Sequence, residues 1–143
     1  MVLEIAGFLG GYLLGSVPTA YLLVKLRSNV DIRLAESGNV GAFNAFQVTR
    51  SRWTGILVGV LDGFKGMVPV LTASAIGASF TTTAIVLVGA VLGHNYPVWL
   101  KFKGGRGLAT ACGGLMVIGW AYIVVWCTTW AFAKVLKADI LKA

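Results

Sequence analysis

The chain has 143 residues, of which 57% are hydrophobic and 12% charged, where an ordinary soluble domain carries roughly a quarter charged residues. One domain of this length cannot hide so much apolar surface inside itself, which leaves little room for a soluble fold and makes lipid the second solvent. Twelve Lys and Arg against five Asp and Glu leave a net charge of +7, but the cations are bunched in short loops. No long basic face free of lipid-seeking sequence exists for nucleic acid, and none is expected as a partner.

Ile5 to Val24 is a run of 20 residues without a charge, and a helix of that length rises roughly 30 Å, one hydrocarbon core. Glu4 stands before it where a signal peptide would be positive, so it is expected to be a retained transmembrane helix. Five cations lie between Lys25 and Arg52, which by the positive-inside rule places the following loop in the cytoplasm and the N-terminus outside. Trp53 opens a second span that continues through Asp62 and Lys65 to about Ser79, where Gly77, Ser79 and the Thr81–Thr83 run loosen it. The 35 residues from Gly66 to Leu100 carry no formal charge with His94 neutral, enough for the end of span two and a third helix near Thr82–Gly93. A basic, Gly-rich loop from His94 to Arg106 then returns to the cytoplasmic side. Gly107 to Ala133 gives 27 further uncharged residues, either one tilted span or two short arms folded near Ile118–Gly119. The pair is favoured, because a single span would carry Lys134, Lys137 and Lys142 outside.

The expected fold is therefore all-α, a polytopic membrane protein of four to five short transmembrane or re-entrant helices with cytoplasmic Gly-rich basic loops, forming one domain over 1–143. Gly7, Gly11 and Gly15 with Thr19, and Gly55, Gly59 and Gly63, recur every four residues, which lines each set along one helix face and lets backbones approach closely in lipid. Cys112 and Cys127 sit in an apolar run, and two cysteines, one histidine and five carboxylates do not make a zinc cage. No metal and no cofactor is expected.

Three polar clusters carry the candidate chemistry. Asp31-Ile32-Arg33 is followed by Ser37-Gly38-Asn39-Val40-Gly41-Ala42-Phe43-Asn44, where small residues permit tight turns and an Arg can grip an oxyanion bidentately. This segment reads either as a phosphate site or as a solvated loop with glycine turns. Asp62 and Lys65, three apart on span two, face a polar cavity or form a structural ion pair, since ionisable residues in a membrane helix are costly. Gly93-His94-Asn95-Tyr96-Pro97 and Lys101-Phe102-Lys103-Gly104-Gly105-Arg106-Gly107-Leu108-Ala109-Thr110 form a cationic, Gly-rich turn entering a helix, which offers N–H groups and a positive dipole end to an anion. The glycine spacing is not that of the nucleotide P-loop. His94 alone reads equally as an interfacial hydrogen-bonded residue.

Together these motifs, with Gly15-Ser16-Val17-Pro18, Leu61-Asp62 and Lys65-Gly66, resemble the bacterial acyl-phosphate:glycerol-3-phosphate acyltransferases, polytopic enzymes of phospholipid synthesis. The resemblance covers most of the chain. It departs at Glu36, Phe43, Gln47 and Arg106, where the family pattern has Gly, Thr, Arg and Lys, and the family continues beyond residue 143 into further helices. The resemblance implies an enzyme of the bacterial inner membrane that transfers a fatty acyl group from acyl phosphate to glycerol 3-phosphate, giving 1-acyl-glycerol 3-phosphate (lysophosphatidic acid) and phosphate. It further implies association with the soluble enzyme that forms acyl phosphate. Arg33, Ser37, Asn39 and Asn44, with Gly38 and Gly41 shaping the loop, are expected to hold the glycerol 3-phosphate, with Lys65 reaching in from span two beside Asp62. Lys103, Gly104, Gly105 and Arg106, leading to Thr110, are expected to hold the acyl-phosphate headgroup, with His94 as general base or phosphate ligand. Two other readings stand beside it, a truncated non-catalytic relative and a small membrane transporter subunit.

Overall fold

The structure, a computed structural model, describes residues 1–140, with side chains to residue 135. The chain runs α1 (Val2–Gly15), α2 (Thr19–Ser28), a 3-10 turn (Ile32–Leu34), α3 (Ala42–Thr49), α4 (Arg52–Ala75), α5 (Phe80–Asn95), a 3-10 turn (Val98–Leu100), α6 (Leu108–Ile118) and α7 (Trp120–Ile140). Three stretches among the described residues are long and apolar enough to cross a membrane, Val2–Ser28, Arg52–Ala75 and Phe80–Leu100, with Leu108–Ile118 a shorter apolar helix. The polytopic all-α expectation therefore holds.

Local chemistry sets the boundaries. Ser51 and Ser79 accept the N–H of Thr54 and Thr82, each satisfying one of the orphan donors at a helix start. Gly77 takes a left-handed φ of 74° between α4 and α5, and the N–H groups of Gly77 and Ala78 return to the carbonyls of Ser74 and Ala73 to close α4, the glycine-terminated helix end that a missing Cβ allows.

The first span is not one helix, contrary to the unbroken Ile5–Val24 reading. It stops at Gly15 and restarts at Thr19, because Pro18 has no N–H and its ring obstructs the preceding turn. The break leaves the Val17 carbonyl outside the helical ladder, where it accepts from Lys65. At the other end of the chain, the break falls at Gly119, so Gly107–Ala133 is two helices. Tyr122 on α7 lies 6.3 Å, centroid to centroid, from Phe80 at the start of α5, so α6 runs from the loop end of the bundle to the opposite end. The tail placement rests on Lys134, Lys137 and Lys142, and the last two lie outside the residues whose side chains are described.

Glycines decide the helix crossings. A Cβ on Gly11 or Gly15 would overlap the carbonyls of Val86 and Ala90, and one on Gly89 or Gly93 would overlap those of Phe8 and Tyr12, so α1 and α5 touch backbone to backbone. The α4–α6 crossing repeats the device with Gly66 against the Thr110 carbonyl and Gly113 against that of Gly63. The second ladder is thereby corrected in part. Gly55 packs on α3, but a Cβ on Gly59 or Gly63 would meet its nearest neighbour at 3.6 and 3.8 Å, an ordinary contact. The outward faces carry Ile56, Leu57, Val60, Phe64, Val68 and Leu71 on α4, all exposed, as a lipid-facing surface should be.

The loop end has its own apolar core of Ala20, Val24, Ile32, Val40, Ala45, Val58 and Leu100. It fastens both polar loops to the bundle, drawing one residue or more from each. Within the first loop, Glu36 is held at a left-handed φ of 51°, a conformation that costs an L-residue about 1–2 kcal/mol. Its ion pair with Arg50, at 3.9 Å, is exposed and so worth little. Glu36→Gly is expected to stabilise the protein by about 1 kcal/mol, after allowing for glycine's larger unfolded-state entropy, as a rise in the unfolding midpoint in detergent.

Candidate functional site

The two polar loops meet at the end of the bundle where α2, α4 and α5 converge. Their contact is direct, since a Cβ on Gly105 would overlap both the Val40 carbonyl and the Nε2 of His94. Glycine is required there because three pieces of chain converge at van der Waals distance.

In the first loop, Asn44 is 1% exposed and spends its whole side chain on its own segment. Its amide nitrogen donates to the carbonyls of Ile32, Ala35 and Asn39 at 3.1, 3.2 and 2.9 Å, and its oxygen accepts the N–H of Ser37 at 3.2 Å. Asn44 thus braces the loop from inside, with its side chain engaged by the Ile32–Asn39 segment and not on the loop's surface. Asn44→Ala leaves those buried groups unsatisfied and is expected to cost about 3 kcal/mol, measured as a fall in the unfolding midpoint. Gly38, at φ 69°, reverses the chain where a Cβ would stand 3.0 Å from the Arg33 carbonyl, and Gly41 is the N-cap of α3. Ser37 is exposed and Asn39 partly so, both at the loop's surface.

Arg33 is likewise engaged by its neighbours. Its guanidinium forks onto Asp31, Nε to Oδ1 at 3.0 Å and Nη2 to Oδ2 at 2.6 Å, lies 5.3 Å over the Tyr21 ring and reaches the Leu100 carbonyl at 3.5 Å. The Arg33 hydrogen bond holds the Asp31 carboxyl below the usual carboxylate range, and Asp31 in turn pushes the guanidinium up. Its Nε/Nη2 edge is taken by a carboxylate, the same shape that edge would offer a phosphate. Instead it ties the first loop to the second.

The second loop differs from the expected cradle in three particulars. The N–H groups of Gly104 and Gly105 donate to the carbonyls of Asn95 and His94, both at 3.1 Å, so they cap the end of α5 and are not offered to an anion. His94, placed in the loop by sequence, lies in the last turn of α5 and is 7% exposed. Thr110 is fully buried where α6 crosses α4 and does not reach the loop surface. The start of α6, whose first N–H groups have no partner within the helix, follows directly on the turn that carries Lys103 and Arg106, both exposed. Among the described residues neither cation forms an ion pair.

Behind this surface lies a buried polar cluster. Lys65 Nζ stands 2.8 Å from Asp62 Oδ1, 2.7 Å from the Val17 carbonyl and 3.3 Å from His94 Nδ1. A charged Lys65 has three hydrogens and no acceptor, so these contacts match all three with His94 Nδ1 as acceptor; the same Nδ1 also lies 3.7 Å from Asp62 Oδ1. Asp62, 2% exposed, also accepts from the Thr19 hydroxyl. The facing pair expected from the three-residue spacing is thus present and buried, with Asp62 Oδ1 shared between Lys65 and Thr19. In the sequence Asp31 and Val17 stood out only as members of motifs and Thr19 only as the last step of a glycine ladder; the partners they take here follow from the tertiary structure. Among the described residues no three His, Cys, Asp or Glu side chains are grouped to hold a metal.

A family model described as glycerol-3-phosphate acyltransferase matches residues 5–140. The chain is 38% identical to a glycerol-3-phosphate acyltransferase of Thermotoga petrophila, covering 84% of this chain and 61% of that one. It is 48% identical to one of Geobacter metallireducens, covering 79% and 57%. The chain thus spans about three fifths of the length of the curated relatives it matches. Among solved structures it resembles crystal structures of PlsY (YgiH), an integral membrane glycerol 3-phosphate acyltransferase. In the glycerol 3-phosphate form the TM-score is 0.75 at 35% identity, over 86% of this chain and 66% of that one. In the lysophosphatidic acid form it is 0.75 at 34%, over 89% and 62%.

Proposed function

Because this chain belongs to the glycerol-3-phosphate acyltransferase family, we propose that it transfers a fatty acyl group from acyl phosphate to glycerol 3-phosphate, releasing phosphate and forming 1-acyl-glycerol 3-phosphate. The observation that carries this reading is the contact of Gly105 with Val40 and His94, which sets a polar loop whose Asp31–Arg33 and Glu36–Arg50 charges are paired beside a turn that carries the exposed cations Lys103 and Arg106. That arrangement suits two phosphate-bearing molecules brought together at a membrane surface.

Acyl phosphate is already an activated anhydride, so the protein's task is to hold both substrates and align the acceptor hydroxyl with the carbonyl carbon. In this reading Lys103, Arg106 and the first N–H groups of α6 hold the donor's phosphate and stabilise the charge that develops as it leaves. Ser37 and Asn39 hold the acceptor from the facing loop. The hydroxyl forms a bond to the carbonyl carbon, the bond from that carbon to the phosphate oxygen breaks, and the proton goes to a phosphate oxygen of a substrate. His94 is not assigned as the base, because Nδ1 is taken up by Lys65 and Nε2 packs on Gly105. The acyl tail lies along the lipid-facing helices. The basic loops face the cytoplasm of a bacterial inner membrane with the N-terminus outside, where a soluble acyl-phosphate-forming enzyme can deliver the donor.

The test is phosphate release by the purified chain in detergent with palmitoyl phosphate, with and without glycerol 3-phosphate, and mass analysis for lysophosphatidic acid. Acceptor-dependent release with that product supports the reading. A folded, monodisperse sample that yields no product overturns it for this chain.

A further inference from the structure

The buried cluster behind the loops joins elements that are remote in sequence. Lys65 on α4 reaches the carbonyl exposed by the α1–α2 break and the imidazole at the end of α5, and Asp62 holds both Lys65 and the Thr19 hydroxyl on α2. One step further, the carbonyls of His94 and Asn95 accept the N–H groups of Gly105 and Gly104, the residues that separate Lys103 from Arg106. We propose that Thr19, Asp62 and Lys65 are positioning residues, which act through His94 to fix the turn that carries Lys103 and Arg106. This rests on the acyl-transfer reading for the purpose of that turn, but not for its geometry.

The physical case is one of direction. A buried ion pair is a weak source of stability, and an apolar pair of similar volume often serves a fold equally well. An apolar pair cannot, however, hold an imidazole by one nitrogen or engage the carbonyl left by a proline break. The cluster therefore orients the last turn of α5, and that turn's two carbonyls orient Gly104 and Gly105. No side chain of the cluster touches substrate in this assignment. Thr19, Asp62 and Lys65 act from behind a glycine that admits no Cβ.

The test compares the wild-type chain with Asp62→Leu/Lys65→Met, which removes both charges together, and with Thr19→Val and Thr19→Ser. Two quantities are read, amide hydrogen exchange at Gly104 and Gly105, and the KM for palmitoyl phosphate apart from kcat. The double variant is expected to fold, to exchange at the two glycines about 10-fold faster while α1 and α4 keep their protection, and to raise KM about 10-fold. Thr19→Val is expected to move both in the same direction by less, with Thr19→Ser restoring them. Unchanged exchange at Gly104 and Gly105 in folded double variant overturns the proposal. If that variant does not fold, Thr19→Val decides by the same two glycines. Should the wild-type chain transfer no acyl group, the exchange measurement still decides the positioning role, while the acyl-transfer reading fails separately.

Discussion

Lys103→Ala is expected to lower acyl transfer about 100-fold, the usual cost of removing one donor aimed at developing charge, without loss of folded protein. Its side chain is exposed and among the described residues enters no ion pair, so the substitution removes no core contact and belongs with surface changes of within roughly 0.5 kcal/mol. Arg106→Ala is expected to resemble it, and Arg106→Lys to retain much of the activity, because the charge stays while the planar fork is lost. The measurement is phosphate release with glycerol 3-phosphate alongside thermal unfolding of each variant. Full activity in Lys103→Ala would remove that residue from the donor site.

The largest effect on the fold is expected from Gly15→Val. Its Cβ would occupy the space of the Ala90 carbonyl, so α1 and α5 must separate along their whole contact, and the cost is about 3 kcal/mol or more. Gly66→Val is expected to do the same at the α4–α6 crossing, where the obstacle is the Thr110 carbonyl. Backbone cannot step aside as a side-chain tip can, which is why both are severe. Gly10→Ala and Gly59→Ala provide the contrast, since a Cβ meets nothing within 4 Å at Gly10 and an ordinary 3.6 Å contact at Gly59. Both are expected to be neutral or slightly stabilising, alanine being the better helix former. Yield of monodisperse protein and the unfolding midpoint in detergent distinguish the two groups.

Much of the fold was legible in the sequence because lipid imposes simple rules. Charge-free runs long enough to span, cations bunched in loops and glycines every four residues each act over a few turns of one helix, and the observed helices follow them closely. The break near Ile118–Gly119 was legible for the same reason, as was the Asp62–Lys65 pair, fixed by helical spacing alone. The break at Ser16–Pro18 was less so, since apolar residues on both sides of Pro18 mask it in a count of charges.

The candidate residues were legible in the sequence, but the partners that each of them takes were not. Asn44, Arg33, Gly104 and Gly105 have the donors that an anion requires, and each spends them within the protein, on the Ile32–Asn39 loop, on Asp31, and on the end of α5. Thr19 looked like one more small residue on a packing face and proves to donate to Asp62. By itself the sequence determined the membrane setting, the spans and the composition of the loops, because these depend on hydropathy and spacing along one chain segment. Only the tertiary structure decided which polar groups face outward, because a hydrogen-bonding group in a compact fold is taken by whichever partner the folding of distant segments brings within 3 Å or so.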